Sequence, residues 1–290
     1  MDELKSTMMA LTDWGGMGPR TFQQLLLRLG SSDGLSQISS DDLKSIPRLS
    51  QSRADRILES LDYICEYEKK LIDFDSMQIG VSTFFDDDYP EMLREIGDPP
   101  PIIYTKGDIK HFSKKHIAIV GTTQATQSGI RLAVDLTREF VKQGFGIVSG
   151  LAAGIDSAAH LAALRSEGVT IAALGCGILS IYPEENSSLA DAIAQNGILI
   201  SEYDPFKKVR APQLILRNRL ISALSRAVVV AQVGSTRRGE LRTAQYAQKQ
   251  GKPLFMADPE QILESETIES AGAFKIKGTE NVDDIIKYTV

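Results

Sequence analysis

The sequence predicts an α/β protein, with a doubly wound, mostly parallel sheet preceded by a small helical domain. Three observations carry this. Six short apolar runs, at 117–120, 145–148, 170–174, 198–200, 227–231 and 253–256, read as buried parallel strands, because a strand covered on both faces is apolar at nearly every position. Helical stretches at 129–142, 155–166, 187–195, 212–225 and 239–250 separate them, and such alternation wraps helices over both faces of one sheet. The first 72 residues lack strand patterning and set Leu11, Phe22, Leu25, Leu26 and Leu29 near helical spacing. A chain of 290 residues accommodates two domains. We place them at 1–72 and 73–290, with the sheet core at 111–260.

Within 1–72, Gly15-Gly16-Met17-Gly18-Pro19 interrupts the helices with a tight turn. It resembles a helix-hairpin-helix turn, in which glycines let backbone N–H groups meet a DNA phosphate. A second unit, from Asp41 to Leu58, repeats the pattern, but Pro47 and Ser50 stand where glycines are wanted. A helical packing module of helix-hairpin-helix or SAM-like type without DNA contact fits equally well. Residues 73–110 read as a connecting segment punctuated by Asp86-Asp87-Asp88-Tyr89-Pro90 and Pro99-Pro100-Pro101. The three aspartates lack the alternating spacing and glycine of a calcium loop, so a solvated loop is expected.

Composition excludes several classes. No segment approaches the roughly 18 apolar residues of a membrane-spanning helix, and the amino terminus lacks the basic and apolar stretches of a signal peptide. Two cysteines, Cys65 and Cys176, have no histidine nearby at metal-ligand spacing. Neither a disulfide framework nor a metal site is expected, and a reducing cytoplasm fits. The net charge of −6 is unevenly distributed. Residues 201–252 carry eleven Lys/Arg against three Asp/Glu, a local balance of +8 inside an acidic chain. Such asymmetry can mark an anion-binding face.

Ligands of open α/β sheets bind outside the carboxyl ends of the strands. Four of those ends carry glycine: Gly121-Thr122-Thr123, Ser149-Gly150-Leu151-Ala152-Ala153-Gly154, Gly175-Cys176-Gly177 and Gly234-Ser235-Thr236-Arg237-Arg238-Gly239. Glycine lets a phosphate approach the backbone, and a following helix supplies N–H donors and the positive end of its dipole. Four such loops beside the basic stretch point to a phosphate-bearing ligand. Neither G-x-G-x-x-G spacing after Gly121 nor a G-x-x-x-x-G-K-[ST] loop is present, so no nicotinamide or ATP cofactor is expected. Asp156 and His160 are four apart on one helix, which allows a proton-transfer pair. An aspartate complementing the helix dipole explains the same residue more simply. Cys176 reads as a small residue in a tight turn rather than a nucleophile.

Several motifs in order resemble the DNA-processing protein A (DprA/Smf) family. They are Ile117-Ala118-Ile119-Val120-Gly121, Val148-Ser149-Gly150-Leu151-Ala152 with Gly154-Ile155-Asp156 and Ala159-His160, and Thr170-Ile171-Ala172 with Leu174-Gly175-Cys176-Gly177. Tyr182-Pro183-Glu184-Glu185-Asn186, Ser201-Glu202-Tyr203 and the helix at Arg217-Asn218-Arg219-Leu220-Ile221-Ser222 follow. The resemblance covers nearly the whole chain. It implies a Rossmann-like fold and a non-enzymatic, dimeric binder of single-stranded DNA. The family protects incoming strands in natural transformation and helps load the RecA recombinase. Some members of that family add a carboxy-terminal winged helix, which these 290 residues are expected not to contain. On this basis Gly121, Thr122, Thr123, Ser149, Gly150, Gly175, Arg217, Asn218, Arg219, Arg237 and Arg238 are the expected DNA-contacting residues. Ile262 and Leu263 are the expected dimer contacts.

Departures from the family pattern bear on affinity. Thr122-Thr123 stands where the family has Ser-Arg, Val169 where a basic residue is common, and Arg238-Gly239-Glu240 where Ser-Gly-Ser is usual. Two lost cations weaken the electrostatic attraction on which DNA affinity rests, and Arg237 and Arg238 are placed to compensate. An alternative is an enzyme of the lysine-decarboxylase-like group, which splits nucleoside 5′-monophosphates at the glycosidic bond. Gly239-Glu240-Leu241-Arg242-Thr243 lacks the final glutamate of that group's loop, although Glu240 is close. A sensor for a small nucleotide is the third reading.

Overall fold

Local chemistry explains the helices of the amino-terminal part. A computed structural model describes residues 2–234, 239–257, 268 and 270–289. The chain divides into two units, Met1–Thr105 with Glu202–Asp204, and Lys106–Ser201 with Pro205–Val290. Arg237, Arg238, Ile262 and Leu263 lie outside the described residues. The first unit holds α1 (Asp2–Met9), α2 (Pro19–Leu29), α3 (Ser40–Lys44), α4 (Gln51–Glu59) and α5 (Ile64–Ser76). Proline opens α2 at its first position, where no hydrogen bond is lost. Gly30 closes the helix at φ 75°, a conformation that costs glycine nothing. Ser39 and Asp42 form a reciprocal capping box at α3. The Ser39 hydroxyl, with Arg28 at 2.9 Å, holds the Asp42 carboxyl at about 2. Met8, Met9, Leu11, Phe22, Leu25, Leu43, Ile57 and Phe74 are buried.

The stretch read as a connecting segment contains regular structure. β1 (Gly80–Thr83) pairs antiparallel with β2 (Ile102–Gly107), and α6 (Glu91–Arg94) lies between them in sequence. The strands escaped notice because β1 is four residues of Gly-Val-Ser-Thr and β2 follows three prolines, so neither shows a sustained period. Asp86 is tied down rather than solvated, accepting from the Thr83 N–H at 2.8 Å and pairing with Lys5 at 3.7 Å. Asp87 and Asp88 are exposed, as the sequence suggests. Tyr89 is buried and its hydroxyl donates to the Pro100 carbonyl at 2.8 Å.

The second unit contains the parallel sheet. In chain order it runs β3 (His116–Gly121), α7 (Gln127–Lys142), β4 (Gly146–Ser149), α8 (Ile155–Arg165), β5 (Thr170–Leu174), α9 (Ser187–Asn196) and β6 (Ile198–Ser201). It continues through α10 (Ala211–Ala223), β7 (Ala227–Gln232), α11 (Gly239–Lys249), β8 (Leu254–Ala257), β9 (Phe274–Ile276) and α12 (Val282–Lys287). The strand order is β6-β5-β4-β3-β7-β8-β9, with every described pairing here parallel. Each of the six predicted runs is a strand. β9 carries no sequence signal of its own, because Phe-Lys-Ile is too short and mixed in polarity.

Alternation sorts the side chains into two layers. Ile117, Ile119, Ile147, Val229 and Phe255 pack with Ala133, Leu136 and Phe140 of α7, Ala159 and Ala163 of α8, and Val282 and Ile285 of α12. Ala118, Val120, Val148, Val228 and Val230 alternate with them and are also buried. α10 contacts β5, and α11 contacts β3 and β7. The chain moves outward from β3 on one side, then returns to lay β7 against β3 on the other. That reversal opens a crevice between the carboxyl ends of β3 and β7.

Gln232, at the end of β7, ties this point together. Its backbone carbonyl accepts from the Thr122 N–H at 3.0 Å. Its side-chain Oε1 accepts from the Thr126 N–H at 3.0 Å, where α7 begins. Gly129 lies against it, and a Cβ there would meet Oε1 at 1.9 Å. Gly129→Ala is therefore expected to displace the Gln232 amide and lower stability by about 1–3 kcal/mol. Urea denaturation checks this, and an unchanged midpoint would mean the amide is dispensable.

Candidate functional site

A cavity of about 1,020 Å³ occupies the crevice. Gly121 and Thr123 line it from β3 and the following loop, Gly150 and Asp156 from the β4–α8 connection, and Tyr182 and Pro183 from the segment after β5. α10 contributes Leu214, Ile215, Arg217, Asn218 and Ile221, and α11 contributes Glu240, Leu241 and Arg242.

Arg217 is the buried cation of the site. Its Nη1 donates to the carbonyls of both Gly150 and Ala173, and its Nε donates to Asn218 Oδ1 at 3.1 Å. Gly150 must be glycine for this, since a Cβ would lie 2.3 Å from the guanidinium. Asn218 passes the link on, donating from Nδ2 to the Gly239 carbonyl at 3.1 Å. One helix face thus clamps the ends of β4 and β5 and the start of α11.

Two carboxylates repeat one device. Asp156 accepts from the Gly150 N–H at 3.1 Å, and Glu240 accepts from the Gly234 N–H at 2.8 Å. Each sits in the first turn of its helix, where negative charge complements the dipole. Each also reaches back six residues to the glycine after a strand. The donors expected to meet phosphate at these two glycines are therefore engaged within the protein. The Gly177 N–H likewise donates to the Lys207 carbonyl at 2.8 Å. Burial raises the Asp156 carboxyl, and the Arg217 charge opposes that shift.

The other anticipated residues separate into groups. Gly121, Thr123, Gly150, Arg217 and Asn218 meet at the cavity. Thr122 is buried, its hydroxyl accepting from the Gln124 N–H at 3.1 Å. Ser149 is buried and donates to the Ile119 carbonyl at 2.6 Å. Gly175 packs on Leu214, leaving no room for a Cβ. Arg219 is fully buried and is not among the lining residues. Gln232 and Glu240 are the positions sequence reasoning missed or undervalued. Gln232 carried one signal, a polar residue ending an otherwise apolar strand.

Asp156 and His160 do not form a proton relay at the cavity. Thr170 Oγ1 donates to the Ile147 carbonyl at 3.0 Å, so it accepts at 2.7 Å from His160 Nδ1, which must carry the proton. Burial then holds the ring neutral, with its pKa lowered to about 3. Cys176 is buried, and burial raises its thiol above the usual range, opposite to what a nucleophile needs. Among the described residues there is no His/Cys/Asp/Glu group suited to a metal, and no helix long and apolar enough to cross a membrane.

Comparison with known proteins identifies the family. The family model for DNA recombination-mediator protein A matches residues 80–288. The chain belongs to that family. It is 36% identical over 233 residues to the DNA processing protein DprA of Bacillus subtilis, covering 80% of this chain and 78% of that one. It is 42% identical over 174 residues to protein Smf of Synechocystis, covering 59% of this chain and 44% of that one. Among solved structures of the DNA recombination-mediator family, DprA of Streptococcus pneumoniae matches with a TM-score of 0.83 at 27% identity, covering 97% of each chain. DNA processing protein A of Helicobacter pylori, solved to describe its single-stranded DNA binding mode, matches with a TM-score of 0.64 at 33% identity. That alignment covers 71% of this chain and 96% of the Helicobacter one.

Proposed function

We propose that this chain binds single-stranded DNA at the crevice between β3 and β7, protects it, and helps load a RecA-type recombinase. In this reading it acts in transformation and recombination as a cytoplasmic homodimer, and it catalyses no reaction. The observation that carries the reading is the cavity at the strand-order reversal of the second unit, in a chain whose Helicobacter relative is described by its single-stranded DNA binding. A non-catalytic role is supported by the chemistry of the crevice. Its two carboxylates hold backbone donors, and His160 is neutral and enclosed. Ile262 and Leu263 are the proposed dimer contacts, and Arg237 and Arg238 the proposed cations beside α11.

Thr123 is exposed and lines the cavity, so a longer side chain fits there. Thr123→Arg is expected to tighten single-strand binding roughly tenfold at low salt. It should also steepen the log–log salt dependence by about 0.7, the value of one added phosphate contact. Fluorescence anisotropy with single- and double-stranded oligonucleotides at several salt concentrations tests this. Incubation with nucleoside 5′-monophosphates should release no free base. Undetectable strand binding at low salt, in that variant as well, would overturn the reading.

A further inference from the structure

The segment entering α10 combines charge and an exposed ring in a way the crevice alone does not require. Phe206 is 56% exposed, and Lys207, Lys208 and Arg210 follow it, all exposed. The backbone carbonyls of Pro205, Phe206 and Lys207 are nonetheless all engaged. The Leu179 N–H donates to the Pro205 carbonyl at 2.8 Å, Ser180 Oγ to the Phe206 carbonyl at 3.0 Å, and the Gly177 N–H to the Lys207 carbonyl at 2.8 Å. Rigid presentation of an aromatic ring lowers the ordering cost of binding.

The segment leads into the cavity. Arg210 is the extended residue that caps α10, and Ala211, Leu214 and Ile215 of the next turn line the cavity wall. Tyr182, 47% exposed, lines the same mouth two residues beyond Ser180, which binds Phe206. No ion pair involving Lys207, Lys208 or Arg210 occurs among the described residues. Glu184 and Glu185 are exposed just after Tyr182 and Pro183, so an anionic backbone is steered to the lysine side of the mouth.

We propose that Pro205–Arg210 is a second contact region for single-stranded nucleic acid outside the crevice, where a base stacks on Phe206 and Lys207, Lys208 and Arg210 bind successive phosphates. Aromatic faces beside cations are how sequence-tolerant strand binding works, since every base has a π-face. This rests on the single-strand reading of the crevice and extends it along the strand.

Strand length separates the two. Oligothymidylates of three and of twelve nucleotides are titrated into the full chain by anisotropy, competing the shorter against a labelled probe. Phe206→Ala is expected to weaken the twelve-mer by roughly 5- to 30-fold and leave the three-mer unchanged. Lys207→Gln with Lys208→Gln and Arg210→Gln should lower the twelve-mer's salt slope by about 2, three contacts at ~0.7 each. All four side chains are exposed, so folding is not at stake, and a melting curve confirms it. If the unmodified chain binds both lengths and neither variant changes the twelve-mer, the second region is refuted while the crevice reading stands. If the unmodified chain binds neither length, the crevice reading falls and this inference with it.

Discussion

Replacing Arg217 with alanine is expected to destabilise the second unit by about 3–5 kcal/mol, the usual effect of removing one partner from a buried, hydrogen-bonded charge. The guanidinium holds the carbonyls of Gly150 and Ala173, and it is the positive charge opposing the burial of Asp156. Without it, two carbonyls lose a donor and the carboxylate loses its compensating cation. Arg217→Lys should recover only part of the loss, because an ammonium cannot reproduce the planar fork. Urea denaturation of both variants provides the measurement. Unchanged stability together with lost strand binding would instead assign Arg217 to the ligand.

Acid should destabilise the protein steeply, and two histidines set the range. Burial lowers the pKa of His160 to about 3 and that of His116 to about 4, against 6.5 when unfolded. Between roughly pH 6.5 and 4 the unfolded chain therefore binds protons that the folded chain refuses. Stability is complete above that window and falls as pH drops through it, by about 1.4 kcal/mol per pH unit for each ring. Together they remove on the order of 4 kcal/mol between pH 6.5 and 5. Asp156 works in the opposite direction near the acid end, because its folded pKa is raised. Urea midpoints at pH 7.5 and 5 should differ accordingly, and His160→Gln should roughly halve the slope. A flat profile would mean that both rings accept protons within the fold.

The parallel strands were legible because burial on both faces leaves a continuous apolar run, as in Ala227-Val228-Val229-Val230-Ala231. β1, β2 and β9 were not, since short pieces of mixed polarity are defined by the neighbours they pair with. The glycines after the strands pointed to their carboxyl ends, but which two strands flank the crevice could not be read, because strand order emerges only in the fold. The same holds for the state of its groups. The family resemblance and the basic stretch place Arg217 and Arg219 among the expected DNA contacts, and the folded chain adds that both are buried, Arg217 at the cavity wall and Arg219 away from it. Nor does spacing alone disclose that Asp156 and Glu240 reach backward to glycine N–H groups.

Those two backward reaches bear on selectivity among anions. Inorganic phosphate and free nucleotides are abundant, and an open nest of backbone donors would be filled by them before any polymer arrived. At Gly150 and Gly234 the donor already holds a carboxylate, so an incoming anion must displace a negative charge fixed by the fold. A small ion gains one contact for that cost. On the proposed reading a single strand gains many at once along its length, so the same arrangement would disfavour the monomers more than the strand.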